Sequence, residues 1–174
     1  MQETPTLYLM LGYPGAGKTT VSDIIRDLTG AVHLNSDRFR QHMFSKPLEI
    51  TNEEHENMYK HLDYIAETIL ESGKSVIYDA NLNKYAHRQE KYNIAKKLGV
   101  NTKLIWIKTD PEIARKRATI EADKNPVNRP FGNMQTQTFE RLIGEIESPK
   151  DDEHAIEISG EEISPENVAK ALGI

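Results

Sequence analysis

The chain contains no cysteine. Disulfides, thiolate zinc sites and cysteine nucleophiles are excluded together. Long hydrophobic runs are missing as well. The longest are a few residues, such as Val76-Ile77-Tyr78, so no segment reaches the length a bilayer span needs and no membrane partner is expected. Met1-Gln2-Glu3 leads into a short strand-like run with neither a basic nor a long apolar region, which predicts no secretory leader. There is no internal repeat, no low-complexity tract and no pair of histidines at zinc spacing, so His33, His42, His55, His61, His87 and His154 read as structural or exposed. The 174 residues are 37% hydrophobic and 28% charged, a globular balance that fits one domain over residues 1–174. A cytoplasmic enzyme or binding module is expected.

The net charge of −5 is unevenly spread. Residues 73–135 carry thirteen Lys and Arg against six acids, while the segments on either side are acidic. A net acidic chain is poorly suited to coating a long stretch of nucleic acid, because that binding scales with the phosphates neutralised. A local basic patch can still hold a few phosphates.

Hydrophobic spacing alternates between the two periods. Strands are expected at Thr6–Leu11, Ala31–Leu34, Ser75–Asp79, Thr102–Ile107 and Ala155–Ile158. Helices are expected from Lys18 to Leu28, Asp37 to Phe44, Asn52 to Ser72, Lys84 to Leu98, Pro111 to about Asp123, Thr136 to Glu147, and from Pro165 onward. Thr51-Asn52-Glu53-Glu54 fits a capping box, and Asp110-Pro111 fits an N-cap followed by proline at the first helical position. Lys124–Met134 reads as a loop. Five strands separated by helices predict an α/β protein with a parallel sheet covered on both faces. Trp106 reads as core. Lys84, Arg88 and Lys91, on one helix face beside Tyr85 and Tyr92, read as a solvated face.

The most specific signal is Gly12-Tyr13-Pro14-Gly15-Ala16-Gly17-Lys18-Thr19, a full G-x-x-x-x-G-K-[ST] between a predicted strand and a predicted helix. The glycines let the backbone curl until successive N–H groups converge on an anion. The helix start adds its positive dipole end. Lys18 supplies a point charge for β- and γ-phosphates, and the Thr19 hydroxyl is a hard oxygen suited to Mg²⁺. A nucleoside triphosphate is the implied ligand.

What happens to the γ-phosphate is read from other segments. A guanine-reading Asn-Lys-x-Asp is absent, since Asn83-Lys84-Tyr85-Ala86 has alanine at the acidic position. Asp79 is followed three places later by Leu82, where a GTPase switch needs glycine. Asp37 follows the second strand, where the crevice of an open α/β sheet lies. It can accept a proton from an attacking hydroxyl, or it can merely cap the short helix. Arg40, one turn on, shares its face and suits a phosphate or carboxylate. Asp79 closes the third apolar strand, where an acid helps hold a metal, or serves as a strand-end turn residue.

Taken together, Gly12–Thr20, Asn35-Ser36-Asp37 with Arg40 and Gln41, Asp79-Ala80-Asn81-Leu82-Asn83 and an arginine-rich helix after the fourth strand resemble the P-loop kinases. The type within them is the phage-type polynucleotide 5′-hydroxyl kinase domain, an AAA-type ATP-binding domain, in a wider group with zeta-toxin-like and gluconate-type kinases. The resemblance implies a three-layer α/β/α fold with strand order 2-3-1-4-5. It implies ATP and Mg²⁺ as cofactors, and transfer of the γ-phosphoryl to a hydroxyl, first of all the 5′-hydroxyl of a polynucleotide. By that likeness Gly12, Pro14, Gly15, Ala16, Gly17, Lys18, Thr19 and Thr20 bind the nucleotide. Thr19 and Asp79 serve the metal, Asp37 is the general base, and Arg40 and Asn81 meet the acceptor. A lid near residues 115–133 donates arginines, with Arg117 first. The place of a second lid arginine is taken by Glu121, which leaves Arg129 to supply that charge. A sugar, nucleotide or antibiotic acceptor is the alternative, as is a regulatory ATP-binding module.

Overall fold

A computed structural model of the chain describes residues 4–122 and 128–174. Thr6–Leu11 forms β1, and every residue after Thr6 is buried. An apolar run without alternation needs cover on both faces. Leu7, Leu9 and Leu11 accordingly face a cluster with Leu62, Ala66 and Ala95, while Tyr8 and Met10 face a second with Val21, Ile25 and Val168. The remaining elements follow in order: α1 (Lys18–Thr29), β2 (Val32–Asn35), α2 (Ser36–Met43), α3 (Asn52–Glu71), β3 (Val76–Asp79), α4 (Tyr85–Leu98), β4 (Asn101–Lys108), α5 (Pro111–Thr119), α6 (Thr136–Gly144), β5 (Ile156–Ser159) and α7 (Pro165–Leu172). The five strands make one parallel sheet in the order β2-β3-β1-β4-β5. Helices α3 and α4 cover one face and α1 and α7 the other. The expected three-layer fold and strand order are therefore found. The carboxyl ends of β1, β2 and β3 lie side by side, which brings Gly12, Ser36 and Ala80 to one edge.

Local signals set most boundaries. Gly30, at φ 71°, ends α1. Thr51 and Glu54 form both bonds of the capping box at 3.2 and 2.8 Å. Asp110 caps α5 by accepting from the amides of Glu112 and Ile113. This helix stops at Thr119, earlier than its spacing predicts; the predicted end near Asp123 lies outside the described residues. Two bonds turn the chain there: the Thr119 hydroxyl donates back to the Arg115 carbonyl, and the Ala122 amide is taken by Asn133 Oδ1 at 2.9 Å. Helix α6 likewise ends before Glu147, whose amide donates to the Asn83 carbonyl at 2.8 Å and whose carboxylate accepts from the Tyr85 amide. Trp106 is only half-buried, at the margin of the first cluster. No helix among the described residues is long and apolar enough to cross a membrane.

One reading is corrected. The α4 face with Lys84, Arg88 and Lys91 is not a solvated one. Lys84 is half-buried, Arg88 is fully buried and Lys91 is 3% exposed. Arg88 makes a two-pronged contact with Glu153, Nε to Oε1 at 2.7 Å and Nη2 to Oε2 at 2.9 Å. Its Nη1 donates to the carbonyls of Leu82 and Asn83. Lys91 sits on Asp63 of α3 at 2.6–2.7 Å, and the Tyr78 hydroxyl donates to the same carboxylate. Each cation is neutralised by an acid far away in the chain, which helical spacing cannot reveal. Removing one partner of such a buried pair leaves the other charge stranded, at a cost of about 3–5 kcal/mol. Glu153→Ala is thus expected to lower the free energy of urea unfolding by about that much, and a change below 1 kcal/mol would contradict the buried pair.

Candidate functional site

The turn from β1 into α1 is built on glycines that other side chains could not replace. Gly15 has φ +81°, and a Cβ there would run into the backbone carbonyl of Ala114 in α5. Gly17, at φ +111°, is the N-cap of α1 and lies against Ile163. The curl leaves carbonyls as well as amides pointing inward. Lys18 Nζ fills that space, donating to Gly12 O at 2.7 Å and Tyr13 O at 3.0 Å. Desolvation lowers Lys18 to about 8, with Asp79 opposing the shift and Arg129 adding to it.

Asp79, at the end of β3, is 4% exposed. Its Oδ2 accepts from Thr19 Oγ1 at 2.9 Å and Asn35 Nδ2 at 2.8 Å, with His33 Nε2 at 3.0 Å. Burial pushes this carboxyl upward, but His33, Lys18 and Thr19 outweigh it and hold the group below its usual range. A hydroxyl and an ionised carboxylate in contact are the hard oxygen donors a magnesium ion takes, directly or through water. The residues present therefore fit that ion.

Asp37 stands in the first turn of α2. It is not the cap of that helix, because Asn35 Oδ1 takes the Arg38 amide at 2.9 Å. Burial pushes the Asp37 carboxyl up; Arg40, Lys18 and Arg129 counter it, and Asp79 adds to it. Arg40 and Arg129 each keep a buried guanidinium nitrogen, Nε and Nη2, without a hydrogen-bond partner among the described residues. Burial lowers Arg129, with Asp37 opposing that shift. Buried donors of this kind are expected to find an acceptor, and an anionic ligand supplies one. Residues after the undescribed segment reach α2 at two points: Asn128 Oδ1 accepts from Arg38 Nη2 at 3.3 Å, and the Phe131 ring lies 5.8 Å from the Arg40 guanidinium.

The other candidates are placed less centrally. Ala16 is buried, Pro14 is half-buried and Thr20 lies on the exposed side of α1. Arg117 donates to the Gly160 carbonyl at 2.7 Å. Gly160 is itself packed on Ala16 and Thr109, so this arginine braces the back of the loop. Arg115 is engaged by Glu112 on its own helix. Asn81 is exposed and turns its side-chain oxygen to the Asn83 amide.

Three further residues join the site. His33 and Asn35 reach Asp79 from β2. Tyr59 of α3 accepts from the Asn81 amide at 3.4 Å, and its hydroxyl also bonds Ser36. The period-two spacing of His33 and Asn35 on one strand face was the available signal for the first two.

The chain belongs to the AAA_33 family, an AAA domain, whose family model matches residues 7–142. No curated protein matches the sequence at a significant level. Among solved structures, a candidate kinase from Chloroflexus aurantiacus superposes with a TM-score of 0.74 at 19% identity, covering 98% of both chains. The Mycobacterium tuberculosis APS kinase, solved with AMPPNP and APS, gives 0.66 at 12%, covering 98% of this chain and 96% of that one. A chain of the Pnkp1/Rnl/Hen1 RNA repair complex gives 0.68 at 21%, covering 83% of this chain and 45% of the other. At such identities the likeness is one of fold: the five-stranded parallel sheet between helices is shared with these proteins.

Lys18 is held by loop carbonyls, and its burial disfavours its charge. Lys18→Ala is therefore expected to leave the thermal unfolding midpoint of the free protein unchanged or slightly raised. Binding of a triphosphate analogue, followed by calorimetry, should weaken on the order of 10²-fold. Unaltered analogue affinity would exclude this loop as the phosphate site.

Proposed function

We propose that this chain is an ATP-dependent kinase acting on an acceptor hydroxyl, with residues 1–174 as one unit and a lid near residues 115–133. The observation that carries the reading is Asp37: a carboxylate in the first turn of α2, relieved of capping by Asn35, held near Lys18, and flanked by two arginines with open donors. The glycine turn and Lys18 hold the triphosphate. Thr19 and Asp79 would hold the accompanying Mg²⁺, which would offset phosphate charge. Asp37 takes the proton of the acceptor hydroxyl. The acceptor oxygen bonds the γ-phosphorus as the bond to the β–γ bridging oxygen breaks, and ADP leaves. Arg129 would offset the charge that develops, and Arg40 would orient the acceptor. Arg117 keeps the loop in place from behind.

The 5′-hydroxyl of a polynucleotide is the first acceptor. Asp37 and Arg40, one helical turn apart on α2, together with the Asp79–Asn83 segment, support it. A small hydroxyl acceptor is the second reading. The net charge of −5 favours it, and an APS kinase is among the proteins that share the fold.

Labelled ATP with Mg²⁺ and a panel of oligonucleotide 5′-ends, sugars, nucleosides and aminoglycosides tests both. Asp37→Asn should cut transfer by about 10²–10⁴ with little change in triphosphate affinity. Because burial raises Asp37, wild-type activity should fall with acid at a pH above the usual carboxylate value of 3.8. The residual activity of Asp37→Asn should lack that limb. Release of inorganic phosphate that no acceptor stimulates and Asp37→Asn does not affect would show a regulatory nucleotide-binding module instead.

A further inference from the structure

We propose that His33 is a positioning residue for Asp79, fixing the carboxylate that supports the metal. The inference rests on the reading of Asp79 given above. The side chain of His33 is 4% exposed and sits between two acids. Nε2 lies 3.0 Å from Asp79 Oδ2 and Nδ1 lies 3.2 Å from Asp23 Oδ1. Asp23 is on α1, one turn beyond Thr19, and Thr19 Oγ1 donates to the same Oδ2. The contacts close a ring: Thr19 to Asp79, Asp79 to His33, His33 to Asp23, and the first turns of α1 back to Thr19. Arg26 Nη1 holds Asp23 at 2.7 Å from outside.

A planar imidazole is the part that suits this ring. Its two nitrogens face opposite ways at a fixed separation, so it ties the end of β3 to the body of α1 with no rotatable bond between the contacts. Asn35 Nδ2 also bonds Oδ2 but reaches no further along α1 than Thr19, at 3.4 Å. Without His33, Asp79 keeps two partners and loses its link to the helix interior. Outer partners of this kind typically set metal affinity or activity within about 10–100-fold.

The test measures binding of a non-hydrolysable fluorescent triphosphate against Mg²⁺ concentration in the full chain, alongside thermal unfolding. His33→Leu is expected to raise the half-saturating Mg²⁺ about tenfold or more, while affinity without Mg²⁺ stays within about twofold. Glutamine carries a donor where Nε2 stands and asparagine one where Nδ1 stands. His33→Gln, which restores the contact to Asp79 but not the one to Asp23, should therefore recover part of the Mg²⁺ response and His33→Asn less, a split that a purely structural role does not produce. His33→Asn also serves if His33→Leu fails to fold. Equal loss of affinity with and without Mg²⁺, or equal behaviour of the glutamine and asparagine variants, overturns the proposal. A shifted Mg²⁺ response in Asp79→Asn with an unaltered one in His33→Leu overturns the role of His33 alone. An unaltered response in Asp79→Asn overturns the reading of Asp79, and His33 falls with it.

Discussion

A single oxygen, Asp79 Oδ2, is where this molecule is drawn together. Thr19 comes to it from α1, His33 and Asn35 come from β2, and Asp79 itself closes β3. Helix α1 and the parallel strands β2 and β3 are thereby tied together at the carboxyl edge of the sheet. The cost of burying a carboxylate is several kcal/mol unless it is paired and bonded. Here it is offset by donors that the fold brings from 60, 46 and 44 residues away in sequence. Asn35 has a double part, since its amide nitrogen serves Asp79 while its oxygen caps α2. That division of labour leaves Asp37 free for other chemistry.

Much of the architecture was legible before any coordinates. An apolar β1, two-residue and 3.6-residue periods in alternation, a capping box at Thr51 and a proline after Asp110 are local signals, and each produced the element it announced. The glycine turn was legible because its residue types are dictated by backbone angles rather than by neighbours. What stayed hidden was long-range. Arg88 and Lys91 looked solvated because the acids that neutralise them, Glu153 and Asp63, lie 65 and 28 positions away. His33 carried no motif, and its meaning depends on two acids on different elements. Asn35, Ser36 and Asp37 are all residue types that cap helices. Only the geometry shows which of them took that task.

The glycine turn is supported from behind as well as from within. Gly15 lies against the Ala114 carbonyl of α5, Thr109 Oγ1 donates to the Ala16 carbonyl at 2.8 Å, and Arg117 secures Gly160, which packs on the same alanine. Helix α5 is therefore in contact with the glycine turn through Ala114. Its far end leads toward Asn128 and Phe131, which meet α2.

The clasp between Arg88 and Glu153 has a bearing on how the protein is made. Its guanidinium also grips the carbonyls of Leu82 and Asn83, directly after Asp79. A ribosome delivers Arg88 long before Glu153, so on a growing chain this cation waits without its counter-ion while β4, α5 and α6 emerge. The carbonyls after β3 gain this clasp in its paired form only once the stretch at Asp151–Glu153 is present. Order in the segment that follows β3 is in this way made to depend on a residue 65 positions further along the chain.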